Sequence, residues 1–138
     1  MKKALVLITA MLFCAAIMPA FCEEDATADA RPRPAIDVEV WARPQLAAPG
    51  EVVYVAGQIT NLGRLADKVT VCASIRSRYF AARLGCWDFR LRSRESARFG
   101  TRFRVPRLRP GTVLVIQADG RSARGATDSD AVRVLVTP

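Results

Sequence analysis

Five carboxylates (Asp88, Glu95, Asp119, Asp128 and Asp130) and two cysteines (Cys72 and Cys86) are the side chains whose types and spacing could carry chemistry. Two acids facing each other across a cleft can hydrolyse a glycosidic bond as acid and base or nucleophile. Asp128 and Asp130, one residue apart, could also lend oxygens to a calcium ion. Neither apparatus is complete. The run of ligands that a calcium loop needs does not continue around residues 128–130, and a small domain offers little cleft for paired acids, which fall where ordinary turns expose them to water. The chain has no histidine, so the usual base for activating a nucleophile is missing. Lys68, the only lysine beyond residue 3, follows Asp67 at a predicted turn, where the two read as a solvated pair. The expectation is a protein that is not an enzyme and uses no cofactor or metal.

The cysteines point elsewhere. There are 4 in the chain. Cys14 and Cys22 fall in an N-terminal segment with the layout of a secretory signal: Lys2 and Lys3, an apolar run from Ala4 to Ile17, then Pro19 and Ala20. A cut after Cys22 puts small residues at the two recognition positions and starts the mature chain at Glu23; a cut after Ala20 is the alternative. The apolar run is shorter than the ~20 residues that span a bilayer. Removal of this segment leaves the pair Cys72 and Cys86, and export to an oxidising compartment makes a disulfide the natural reading, with two buried free thiols as its rival. Without histidine or a C-x-x-C element, zinc is not expected. A bridge closing a loop of about fifteen residues contributes ~3 kcal/mol in the chain-entropy view. The expected location is secreted or periplasmic, with no membrane span in the mature chain.

Charge is the third feature. Lysine and arginine number 21 against 13 acids, a formal net charge of +8, and loss of Lys2 and Lys3 lowers the excess by two. Arg90 and Arg92 on one predicted strand, with Arg98, Arg102 and Arg104 on the next, all opposite the Trp and Phe residues, form a candidate anion-binding patch. Its bland counterpart is a solvated outer face in an arginine-rich composition. Specific nucleic-acid recognition is not expected, because an exported protein seldom meets genomic nucleic acid and no aromatic stacking platform is interleaved with these arginines on the outer face.

The elements that would hold these groups are strands. The segment PGEVVYVAGQITNLG, residues 49–63, is a turn, a run with Val53, Val55, Gly57 and Ile59 on one face and Val52, Tyr54, Ala56, Gln58 and Thr60 on the other, and a second turn. Ile36, Val38 and Val40 alternate with Asp37 and Glu39; Val69, Val71, Ala73 and Ile75 with Thr70, Cys72 and Ser74; Trp87 and Phe89 with Asp88 and Arg90; and Phe99, Phe103 and Val105 with Arg98, Arg102 and Arg104. Thr112 to Ala118 and Ala131 to Val136 complete the set, while Ser77 to Gly85 reads either as a short edge strand or as a loop. This pattern predicts an all-β fold, one immunoglobulin-like sandwich of about seven antiparallel strands. Residues 1–22 are read as the signal peptide, 23–35 as a disordered leader rich in acids, Ala and Arg-Pro pairs, and 36–138 as the sandwich domain. Val53, Val55, Ile59, Val69, Val71, Trp87, Phe89, Phe99 and Phe103 should form the core; Trp41 shares the parity of Asp37 and Glu39 and is left undecided.

The stretch PGEVVYVAGQITNLG, the following LADKVTVCASI, the Cys86-Trp87 pair, the arginine-rich strand and ADGRSARGATDSDAVRVLV together resemble bacterial CARDB-type (cell-adhesion-related) modules of cell-surface proteins. Those are Ig-like domains with an Asn-x-Gly turn after the second strand and a short acidic turn before the last. The resemblance spans nearly all of Ile36 to Val136. It departs in having Ser129 where asparagine is common, and in showing one copy of a module that usually occurs in tandem. It implies a non-enzymatic interaction module of the bacterial cell envelope, engaging a protein or envelope component by a sheet face, edge or loops. Binding of an anionic polymer such as lipopolysaccharide or a heparin-like chain through the arginine patch is the alternative.

Overall fold

A computed structural model describes residues 35–138, so the expected signal peptide at 1–22 and all of the leader but Ala35 lie outside the described residues. Eight strands follow one another: β1 Ile36–Arg43, β2 Leu46–Ala47, β3 Val52–Asn61, β4 Asp67–Arg76, β5 Ala81–Leu91, β6 Ser96–Arg104, β7 Val113–Ser122 and β8 Thr127–Val136. They form two sheets, one of three strands in the order β1-β3-β6 and one of five in the order β2-β8-β7-β4-β5. The all-β, Ig-like sandwich is as expected. The strand list needs four corrections. Leu46–Ala47 adds a short strand that pairs parallel to β8, so the pairing is not wholly antiparallel. The uncertain Ser77–Gly85 stretch contributes the first half of β5, and β7 and β8 are both longer than the apolar runs that announced them.

Alternation sets the strand faces. In β3 and β4 every second residue is buried, and apart from Asn61 at the end of β3 and Asp67 at the start of β4 it is the apolar set. Val53, Val55, Ile59, Val69, Val71 and Phe99 are in the core as predicted, while Trp87, Phe89 and Phe103 are half-buried and pack against it. Burial of this kind is worth ~25 cal/mol per Å² of apolar surface, which is why a one-residue slip, turning every apolar side chain outward, is not tolerated.

Two glycines let the layers close. Gly57 on β3 stands opposite Phe99 on β6, and a Cβ there would meet the Phe99 ring at 2.1 Å and the Glu39 carbonyl oxygen at 2.6 Å. The ring lies over the bare backbone and reaches Trp87 of the other sheet, centroid to centroid 5.1 Å. At Gly120 a Cβ would come within 2.6 Å of Val38, so this glycine admits β1 close to β7.

The open edge of β1 is closed by the acids that looked like surface turn residues. Asp128 and Asp130 lie within β8 on the half-buried side, and their Oδ2 atoms accept hydrogen bonds from the backbone N–H groups of Val38 at 2.7 Å and Val40 at 2.9 Å. Strand edges present unpaired donors that a fold must satisfy or cover; here two carboxylates satisfy them across the sheets.

Candidate functional site

The expected cysteine pair is joined. Cys72 on β4 and Cys86 on β5 are register partners and form a disulfide, Cα atoms 4.1 Å apart. Their neighbours Val71 and Trp87 point into the core, which leaves the bridge on the outer face of the five-stranded sheet. There it lies in a row with Asp119 and Ser129, at the border of a shallow depression that Thr70, Arg83 and Arg121 also line. Side chains on this face bond to one another: Thr70 donates to Asp88, Arg76 to Gln117, and Gln117 to Asp119.

The five candidate anion-binding arginines are all exposed, yet they do not share a face. β5 and β6 follow each other in sequence but belong to different sheets, so the expectation that they are neighbouring strands of one field is corrected. Trp87 of β5 and Phe99 of β6 meet in the core. Arg90 and Arg92 therefore project from the five-stranded side, and Arg98, Arg102 and Arg104 from the three-stranded side. The turn between them is held by other groups. Glu95 accepts from the Arg92 N–H at 2.7 Å, and Arg94 takes a left-handed φ of 66°. The buried Asn61 side chain donates to the carbonyls of Leu65, Leu91 and Arg92 while accepting from the Gly63 N–H.

Three other readings change with the structure. Asp67 is buried at the start of β4 while Lys68 is exposed on its opposite face, so they are not a solvated pair. Asp128 and Asp130 serve the β1 edge instead of a turn. Trp41, undecided from sequence, is 38 % exposed on the outer face of β1.

That last placement shows what reading single strands missed. On the outer face of the three-stranded sheet, register sets Arg43 beside Tyr54 and Tyr54 beside Arg102, then Trp41 beside Ala56 and Ala56 beside Gly100, then Glu39 beside Gln58 and Gln58 beside Arg98. Tyr54 is 59 % exposed. Aromatic rings do interleave with arginines on this outer face, from strand to strand, which corrects the expectation that no aromatic side chain stands among them there. Farther along, Asp37 stands beside Thr60, which is paired by hydroxyl with Ser96 at 2.7 Å. The face thus runs from basic and aromatic at one end to acidic at the other.

No protein-family model matches the chain, and no curated protein matches it either. Solved structures do. The CARDB domain of the PF1109 protein from Pyrococcus furiosus, crystallised with two metal ions, superposes with a TM-score of 0.56 at 16 % identity, over 75 % of this chain and 94 % of that domain. The sporulation control protein Spo0M of Bacillus subtilis gives a TM-score of 0.56 at 18 % identity, over 75 % of this chain but only 50 % of Spo0M. A cycloisomaltooligosaccharide glucanotransferase from Paenibacillus sp. gives 0.58 at 16 % identity, over 76 % of this chain and 14 % of the enzyme. At these identities the likeness is one of fold, and it is distant. Among the described residues there is no cluster of three or more His, Cys, Asp or Glu side chains placed to hold a metal, and no helix long and apolar enough to cross a membrane.

Proposed function

We propose that the chain is an exported, non-enzymatic binding module of the bacterial cell envelope. The observation that carries this reading is the sandwich itself, whose fold is that of a CARDB domain aligned over 94 % of its length. The disulfide supports an oxidising compartment, in keeping with the export signal read at residues 1–22 and removed at Ala20 or Cys22. The acids that could have served hydrolysis favour the same view. Asp128 and Asp130 are engaged with the β1 backbone, and Asp88 and Asp119 accept from Thr70 and Gln117. Polyanion binding through arginines is the second reading, favoured by the exposure of Arg90, Arg92, Arg98, Arg102 and Arg104, with the charge now divided between two faces.

Export of the full chain in a bacterial host, followed by co-sedimentation with purified cell-wall sacculi and lipopolysaccharide vesicles, tests the proposal. Retention at physiological salt with no release of reducing ends is the expected result. Turnover of any of these polymers would overturn it.

A further inference from the structure

We infer that the outer face of the three-stranded sheet is a binding platform for an acidic polysaccharide, with Trp41 and Tyr54 as the stacking rings and Arg43 and Arg102 as the anion contacts. The inference rests on the binding-module reading and gives it a face and a ligand class.

The geometry is that of a flat, rigid surface. Trp41 on β1 and Tyr54 on β3 are diagonal neighbours across an antiparallel pair, a separation of about 7–8 Å between Cα atoms. Beside Trp41 the same row holds only Ala56 and Gly100, so the floor there is low, and Trp41 keeps 38 % of its surface exposed. Each ring offers an apolar body with a polar tip, suited to the C–H face of a sugar while its hydroxyls find donors and acceptors at the border. Tyr54 has an arginine as its register partner on both neighbouring strands, Arg43 and Arg102. Their planar forks match carboxylate and sulfate groups in bidentate fashion. In the row beyond Trp41, Gln58 and Arg98 supply further polar contacts.

The acidic end decides between polymers. A single-stranded nucleic acid also stacks on aromatic rings between arginines, but it carries a phosphate at every unit, and its track along β1 would run onto Glu39 and Asp37. A polysaccharide with intermittent charge can lay hydroxyls on those carboxylates and its acid groups between Arg43 and Arg102. Four exposed positions in a charge-matched order, on strands that need none of them for the core, form a second observation beside the fold.

The test uses the full exported chain and affinity electrophoresis through gels containing polygalacturonate, alginate or heparin, with neutral dextran and oligo(dT) as comparisons. The expected result is retardation by at least one acidic polysaccharide. Trp41→Ala and Tyr54→Ser should each weaken this binding about tenfold at any salt, while Trp41→Phe, which keeps a ring, retains most of it. Arg43→Ser with Arg102→Ser should weaken it and lower the slope of log affinity against log salt by roughly one per arginine. Arg83→Ser with Arg121→Ser on the opposite face should leave it unchanged. Unaltered thermal transitions show that loss of binding is not loss of fold. Retardation of the Trp41→Ala and Tyr54→Ser variants equal to that of the parent, or tighter binding of oligo(dT) than of every polysaccharide, would overturn the assignment. Absence of retardation by all three acidic polymers would do the same, and if sacculi or lipopolysaccharide still retain the chain, the binding-module reading survives while this platform falls.

Discussion

The two outer faces of the sandwich are made mostly from alternating strands of 8 to 11 residues, yet their side chains are used differently. On the five-stranded side the outward residues are tied to one another, through the Cys72–Cys86 bridge and the Thr70–Asp88, Arg76–Gln117 and Gln117–Asp119 hydrogen bonds. On the three-stranded side Trp41 and Tyr54 are exposed, as are Arg43, Arg98 and Arg102. One face spends its polar groups on holding its own strands in register. The other has a wide surface of rings and charges that the fold does not require. Stability should therefore be sensitive inside the sandwich and on the five-stranded face, and binding on the three-stranded face.

The largest effect should come from the layer that both faces share. Phe99→Ala removes the ring that fills the space above Gly57 and meets Trp87, and loss of a buried phenylalanine costs ~3–5 kcal/mol. For a domain near 100 residues that is a drop in melting temperature of roughly 4–8 °C per kcal/mol. Tyr54→Ser, on the outer face of the same sheet, should stay within ~0.5 kcal/mol of the parent. Comparable melting losses for the two variants would show that the inner and outer faces have been confused.

Next is the bridge. Cys72→Ser with Cys86→Ser should lower stability by ~3 kcal/mol, the chain-entropy value for a loop of about fifteen residues, measured by denaturant titration. Intact mass of unreduced exported protein, with no thiols open to alkylation, checks that the bond is formed. No comparable loss should follow any outward substitution on the three-stranded side.

Gly57→Ala should cost ~1–3 kcal/mol, because the added methyl must displace Phe99 or the Glu39 carbonyl. Gly100, on the outer face of the same sheet, would meet only the Val55 carbonyl oxygen at 3.4 Å, so Gly100→Ala should be near neutral. Asp128→Ala and Asp130→Ala should each cost ~1–3 kcal/mol by leaving a strand-edge donor unsatisfied. Amide exchange would localise that loss to Val38 or Val40, and unchanged protection at both amides would show that the carboxylates are not what shields these donors.

How much of this was legible beforehand follows from what periodicity carries. Strict alternation in β1, β3, β4 and β6 shows which residues face inward, and Cys72 and Cys86 fall on the parity opposite Val71 and Trp87, which in the structure is the outer face. Alternation breaks where the chain does. The β4–β5 register shifts between Ala73 and Ser74, so the Ser77–Gly85 stretch lost its period and could be read as a loop. A two-residue strand, Leu46–Ala47, is too short to have a period. Asp128 and Asp130 were hidden because inward-facing acids look like the end of a strand until the edge they serve is known. Sheet membership and register are long-range properties. β5 and β6 could not be assigned to different sheets from their own residues, nor could Tyr54 be seen between Arg43 and Arg102, residues 59 positions apart in the chain and in one row of the sheet.

The smallest effects on folding should come from the arginines, and they divide the faces most sharply. Arg90→Ser with Arg92→Ser and Arg98→Ser with Arg102→Ser should each change stability by less than ~0.5 kcal/mol, since exposed side chains away from caps and networks contribute little. Their effects on anionic polymers should differ. The two sheets are about 10 Å apart before the outward side chains are added, and the screening length at physiological salt is ~8 Å, so Arg90 and Arg92 act on a ligand of the three-stranded face only weakly. The second pair should reduce both affinity for heparin and its salt dependence, because its charges lie beside Tyr54 and Gln58 where a ligand on that face would rest. The first pair should change neither. Equal losses from both pairs, measured by salt-gradient elution from a heparin column, would mean that a polymer wraps around the β5–β6 edge and reads all five arginines together, and the contrast between the faces would then describe folding but not binding.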